Sequence, residues 1–295
     1  MKPYWIVVIA FLIGVCQSAN LQAQSKEKEG SAAKSDPAAA AQAPASAGSD
    51  SKSTAEAWAT LTGQIVVDGE VPAQPAENVA GNPHRAFCVV DGKVPADDGL
   101  VVGKDNALRD VFVYISPKSK KTEVPVHESY EALKKQPVVL DNVKCRFVPH
   151  AAFVRPGQKL IVKNSDTVGH NCNIKGLKNG HNINIGANDQ AELTMAKSEV
   201  VPSEVGCDYH PWMDSVLFIR DNPYVAITDA DGKFTMKNVP EGEWEFRFWH
   251  KKAGYMKDLE IADVKVDRKG RAKVEMKKGA SVDLGTMKFP VKSFK

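Results

Sequence analysis

The stretch Gly206-Cys207-Asp208-Tyr209-His210-Pro211-Trp212-Met213 sets a thiol, an imidazole and a thioether on one short loop, in the pattern C-x2-H-x2-M. A second imidazole, His170, lies 37 residues upstream in Asn164-Ser165-Asp166-Thr167-Val168-Gly169-His170-Asn171. A thiolate is a soft, covalent partner for copper in both oxidation states. Imidazole is an intermediate donor, and a thioether is too weak an axial donor to enforce either state. Zinc also takes one cysteine and two histidines, but a methionine in the axial position favours copper by softness. A short loop can hold three such donors against the geometry the metal would otherwise choose. The fourth then has to come from the end of a neighbouring strand, which accounts for the distance of His170.

The remaining histidines carry weaker signals. His150, in Cys145-Arg146-Phe147-Val148-Pro149-His150, reads as a satisfied, partly buried side chain. His181 follows the Asn179-Gly180 turn and reads as solvated; it is the reserve ligand should His170 not serve. His84 and His127 read as loop residues, and His250, closing Trp244-Glu245-Phe246-Arg247-Phe248-Trp249, as structural.

What surrounds the ligands must be a rigid β-scaffold. Short apolar runs recur at Gly63–Asp68, Val111–Ile115, Pro137–Leu140, Lys159–Val162, Ser215–Ile219, Val225–Thr228, Phe234–Met236 and Trp244–Trp249. Turn signals separate them: Asp91-Gly92, Pro156-Gly157, Asn179-Gly180, Asp231-Gly232, Glu241-Gly242 and Lys269-Gly270. Such spacing predicts an all-β fold of sandwiches, with one short helix over His127–Lys135. The 39 basic and 36 acidic residues nearly cancel, to +3, which argues against a nucleic-acid binder. The chain has no C-x-x-C and no H-x-H. Zinc ribbons, thioredoxin-like motifs, c-type haem attachment and multicopper oxidases are therefore disfavoured.

The ligand pattern resembles that of the cupredoxins, the type 1 copper proteins, and its C-x2-H-x2-M spacing is most similar to the amicyanin type. The likeness extends through Phe147-Val148-Pro149, Val154-Arg155-Pro156-Gly157-Gln158, Asn164-x-Asp166 and His170-Asn171, and on to a closing strand at Ser215–Ile219. It covers about residues 136–221. It implies a Greek-key sandwich, one copper held by His170, Cys207, His210 and Met213, and Asn171 as the residue that braces the cysteine loop. It also implies single-electron transfer to a redox partner docking near His210 and Trp212. The electron would leave through an exposed edge of His210, beside an apolar patch of Pro211 and Trp212.

Residues 222–295 resemble a second family, the transthyretin-like or carboxypeptidase-regulatory-like sandwiches, through Val225–Met236 and Val239-Pro240-Glu241-Gly242-Glu243-Trp244. The run Asp229-x-Asp231-Gly232 is read as a turn, because Pro240 stands where an EF-hand loop requires its glutamate. Gly63–Gly69 and Val111–Ile115 resemble opening strands of that same sandwich, so residues 58–135 read as a β segment that can belong to it. The combination resembles methylamine-utilisation-like secreted bacterial proteins.

Among the cysteines, Cys207 goes to the metal. Cys88–Cys145 is the preferred disulfide, stapling the N-terminal segment to the cupredoxin-like part. Cys172 shares a strand face with His170 and reads as a buried thiol.

Lys2 and the apolar run Ile6–Val15 have the form of a signal peptide over residues 1–23. The run is too short to span ~30 Å of hydrocarbon. Val15 before Cys16 makes a poor lipoprotein box, so simple secretion is preferred to anchoring. Residues 24–57 hold 11 Ala and 7 Ser among 34 and read as a disordered linker. Residues 250–295 carry 13 basic against 6 acidic side chains, read as solvated strand edges. The expectation is a periplasmic or secreted, non-enzymatic electron carrier with no transmembrane domain after cleavage. The alternative is a non-redox copper-sequestering or envelope-associated binding protein. A copper nitrite reductase or oxidase would need a second cluster of histidines.

Overall fold

β-Strands are the main regular element of the computed structural model, which describes residues 58–294 apart from Lys120. The expected signal peptide and linker lie outside the described residues. In chain order the strands are β1 (Trp58–Asp68), β2 (Phe112–Ile115), β3 (Val138–Asn142), β4 (Phe147–Val148), β5 (Ala151–Val154), β6 (Lys159–Asn164), β7 (His170–Lys175), β8 (His181–Ile185) and β9 (Gln190–Thr194). There follow β10 (Ser203–Gly206), β11 (Asp214–Ile219), β12 (Val225–Ile227), β13 (Lys233–Pro240), β14 (Gly242–His250), β15 (Gly254–Tyr255), β16 (Arg271–Met276) and β17 (Ser281–Pro290). Two short α-helices are α1 (Arg85–Cys88) and α2 (Glu128–Lys134). The second occupies the expected helical stretch, and His127 caps it by accepting the Ser129 N–H. No helix among the described residues is long and apolar enough to cross a membrane.

Strands β3 to β11 build two sheets, ordered β4-β3-β6-β9 and β5-β11-β10-β7-β8. Their alternating residues meet in one core: Leu140, Leu160 and Val162 from the first sheet pack with Val154, Ile174, Val205 and Leu217 from the second. The flanking strands build two more sheets, β13-β1-β17 and β12-β2-β14-β15, with β16 added along β14. β1 runs antiparallel to β13 and parallel to β17, so strands that precede the first sandwich in the chain complete their sheets with strands that follow it. Their core gathers Leu61, Ile65, Val113, Ile115, Phe246, Phe248, Met287 and Phe289.

Two strands join the sandwiches. In β2, Val113 and Ile115 face their own core, while Phe112 and Tyr114 face outward. In β11, Leu217 and Ile219 face the other core, while Val216 and Phe218 meet Phe112 and Tyr114. The Phe218 ring lies edge-on to both, at 5.4 and 4.9 Å between centroids. Burial on both faces explains why these two segments read as unbroken apolar runs instead of alternating ones.

The turn at Asp229–Gly232 needs its glycine. Gly232 has φ +69°, and a Cβ there would come within 2.3 Å of the Ile65 carbonyl oxygen, which is backbone and cannot swing aside.

A polar cluster pins the same junction. His150 is buried, with Nδ1 2.9 Å from an Asp110 carboxylate oxygen and Nε2 2.9 Å from one of Asp214. Lys251 adds a second cation on Asp214. Burial works against the charged imidazole, but the hydrogen bonds from Asp110 and Asp214 outweigh it and lift His150 to about 9. A pKa raised on folding stabilises the fold fully below the unfolded value, about 6.5, and the benefit is lost as pH climbs through the folded one. We therefore expect stability to fall between pH 6.5 and about 9 by on the order of a few kcal/mol. Thermal unfolding of wild type and His150→Gln across that range checks this, since the variant should lack most of that slope.

Candidate metal centre

The loop between β10 and β11 closes tightly on itself. The His210 N–H donates to the Cys207 carbonyl at 3.2 Å, the Met213 N–H to the His210 carbonyl at 2.8 Å, and the Cys207 N–H to the Met213 carbonyl at 3.2 Å. This small hydrogen-bonded ring fixes the backbone of three of the four expected ligands before any metal arrives. β7 lies beside β10 and carries His170 as its first residue. The Sγ of Cys207 is 3.5 Å from Nδ1 of His210 and 4.0 Å from Nδ1 of His170. All three side chains are buried, and their donor atoms lie close enough together to share one ion. Met213 is buried in the same core.

His170 and the Cys207 loop are each oriented by further contacts. The far nitrogen of His170, Nε2, is 2.8 Å from Asp166 Oδ2. The buried Asp166 carboxylate also accepts the backbone N–H groups of Lys144 and Cys145 at 2.6 and 2.9 Å. Asn171 donates its backbone N–H to Cys207 Sγ at 3.3 Å, and its Oδ1 accepts the Asp208 N–H at 3.2 Å. Its own amide is held by Asn182 and Asn184, while Asn173 and Asn182 donate to the Asp208 carboxylate. The cysteine loop is thus tied at two consecutive residues to β7 and β8.

Electrostatics separate the two imidazoles. Burial, with His170 and His84 nearby, holds His210 down at about 4, so the ring is neutral at physiological pH with a lone pair to offer. Burial would also lower His170, but the bond to Asp166 and the Cys207 thiol raise it. One buried sulfur, two Nδ1 atoms and an N–H aimed at the sulfur form a donor set that suits copper better than a hard cation.

The other sequence readings resolve as follows. Cys88 and Cys145 are joined by a disulfide. Cys172 is a free buried thiol pushed up to about 12 by burial. His181 pairs with Ile174, at the end of β7 away from His170. His250 is buried, held down to about 4 chiefly by burial.

One expectation is overturned. His210 has no exposed edge: it is 0% exposed, and Trp212 is 7% exposed, packed 5.2 Å from the His210 ring. The segment around α1 folds across the loop and places Nδ1 of His84 3.0 Å from Nε2 of His210. His84 is a contact of the candidate ligand, where the sequence suggested a plain loop residue. Only Pro211 and Tyr209 of the loop's ring-bearing residues stay exposed.

Residues 213–280 match a family model described as SpaA, a prealbumin-like fold domain. The match starts at the edge of β11 and runs beyond β16. Among solved structures the chain is similar to a reduced amicyanin variant (16% identity, 28% of this chain and 81% of that one, TM-score 0.26). It is also similar to a purple cupredoxin from Nitrosopumilus maritimus (16%, 28% and 97%, TM-score 0.24). A third likeness is to the copper-containing nitrite reductase of Thermus scotoductus SA-01 (16%, 36% and 25%, TM-score 0.25). No curated protein matches the chain.

Asp166 is the strongest outer contact at this site. Asp166→Asn removes a charge-assisted bond to His170 and should weaken copper binding about 10–100-fold. Competition against a chelator of known affinity measures it, with circular dichroism to show that the fold persists.

Proposed function

We propose that this chain is a type 1 copper protein that passes single electrons in the periplasm or outside the cell. The reading is carried by one observation: Cys207 Sγ lies within 4.0 Å of the Nδ1 atoms of both His170 and His210, in a buried site. His170, Cys207 and His210 would hold the metal, with Met213 as the weak fourth donor. Copper, when bound, supplies a one-electron couple. The protein's part is to keep the donors in place so that little rearranges when the charge changes. The closed loop hydrogen bonds, the Asp166 brace and the Asn171 clamp do this. The Cys207 sulfur is screened from water by burial and receives the Asn171 N–H, which eases negative charge on it.

Location outside the cytoplasm is supported by the Cys88–Cys145 disulfide, which persists in oxidising compartments, together with the apolar run near the N-terminus. We read the outer sandwich as a transthyretin-like module into which the copper sandwich is inserted. The pairing of β1 with β13 and β17 supports this. The reading assigns no catalytic residue.

The sealing of His210 by His84 favours a second reading, a copper-sequestering protein that holds the metal without partner turnover. Voltammetry separates the two: a reversible midpoint supports the carrier, and retention of Cu(I) with no reversible wave supports sequestration. For copper itself, the Cu(II)-loaded protein should show an intense visible sulfur-to-copper band and the narrow hyperfine EPR pattern of a thiolate site. Cys207→Ser should lose both. A copper-loaded wild type without the band overturns the proposal.

A further inference from the structure

The segment Asn82–Cys88 is fastened over the ligand loop at both ends. Asn82 donates its side-chain N–H to the Tyr209 carbonyl at 2.8 Å, and its Oδ1 accepts the His84 N–H at 2.9 Å. One side chain therefore grips the loop and sets the backbone of His84. Four residues on, Cys88 is bonded to Cys145, whose N–H is held by Asp166, the same carboxylate that orients His170. Cys88 also returns its N–H to the His84 carbonyl at 3.0 Å.

Between these anchors the His84 and His210 rings sit 5.1 Å apart, with Nδ1 of His84 on Nε2 of His210. His210 turns Nδ1 towards Cys207. A neutral His210 ring that gives its Nδ1 lone pair to a metal would carry its proton on Nε2 and donate it to Nδ1 of His84. His84 in turn keeps its own N–H on Nε2, which has no partner among the described residues. Unlike His210, His84 is only half-buried, and its neighbours Pro83, Arg85 and Ala86 are exposed.

We infer that His84 is the outermost group of the electron path, the point at which an electron leaves or enters the protein. The inference rests on the carrier reading above. The strap moves the point of exit one imidazole outward. A single electron would pass outward from a metal held by Cys207 and His210 through the His210–His84 hydrogen bond, with no bond made or broken and no proton transferred. The same contact that would seal a storage site serves here as a wire with its end at the surface.

The test uses the full-length, copper-loaded protein. Stopped-flow oxidation of the Cu(I) form by hexacyanoferrate(III), which takes one electron and becomes hexacyanoferrate(II), gives the rate. His84→Phe keeps a ring over His210 but removes the hydrogen bond, and should slow that rate about tenfold. Its visible band and EPR spectrum should match wild type. His84→Gln retains a polar contact to His210 and should recover most of the rate.

Two measurements do not need the Phe variant to fold. In the Cu(I) wild type, 15N NMR of the histidine rings should show the His210 Nε2–H protected from solvent exchange and coupled to the His84 nitrogen. At low ionic strength Arg85→Glu should slow oxidation by the anionic reagent about threefold or more. An unchanged rate in His84→Phe with an intact copper spectrum, a freely exchanging His210 N–H, or an unchanged rate in Arg85→Glu each overturns the inference and leaves the copper carrier standing. Absence of the visible band in the wild type overturns the carrier reading, and this inference with it.

Discussion

A single buried carboxylate holds the candidate site together. Asp166 accepts a hydrogen bond from His170 and two from the backbone at Lys144 and Cys145. Burial makes a lone carboxylate costly, and these three bonds compensate for it so well that its pKa falls below the ordinary value despite burial. Through them one imidazole ligand is aimed, the backbone beside the disulfide is set, and the disulfide places the strap that carries His84. Most of what surrounds the ligands can be traced back to this acid. Asn171, on β7, does the corresponding work for the sulfur.

The second sandwich contributes stiffness to the first. β11 starts one residue after Met213, and its outward side chains Val216 and Phe218 are covered by Phe112 and Tyr114 of the other core. Without that cover, the strand leaving the ligand loop would present a flat apolar face to water. Asp214, the first residue of β11, is in turn pinned by His150 and Lys251, which draw it well below the ordinary carboxylate value, to about 2, against the effect of burial. The ligand loop is therefore clamped at its exit by groups from both sandwiches.

Much of this was legible in the residues. The C-x2-H-x2-M loop and the distant His170 were legible because donor chemistry restricts which side chains can cluster, and the all-β class followed from short apolar runs between turns. Several strands that escaped notice did so for physical reasons. β8 and β9, His181–Ile185 and Gln190–Thr194, bury only Ile185 fully and read as polar loop. β17 has Gly285 in its middle at positive φ, which breaks the apolar alternation of Ser281–Pro290. β7 was seen only as a ligand-bearing strand end, because its asparagines serve the site and hide its pattern. His84 could not have been found from spacing at all. It reaches the candidate site through a long-range crossing fastened by a disulfide 57 residues in span.

The chain order of the sheets has a consequence for how the molecule is made. β1 is the first described strand, yet its neighbours are β13 and β17, with Thr60 opposite Ser281 and Asp68 opposite Pro290. During synthesis the sandwich that bears the candidate site, contiguous from β3 to β11, can close on local contacts. β1, apolar on alternate residues, has no sheet partner until β13 (Lys233–Pro240) has emerged, and its second partner, β17 (Ser281–Pro290), comes later still. Contacts that distant close slowly and leave strand edges open to the wrong partner. The outer sandwich thus has the most distant pairings in the chain, and it cannot be complete before its last strand is made.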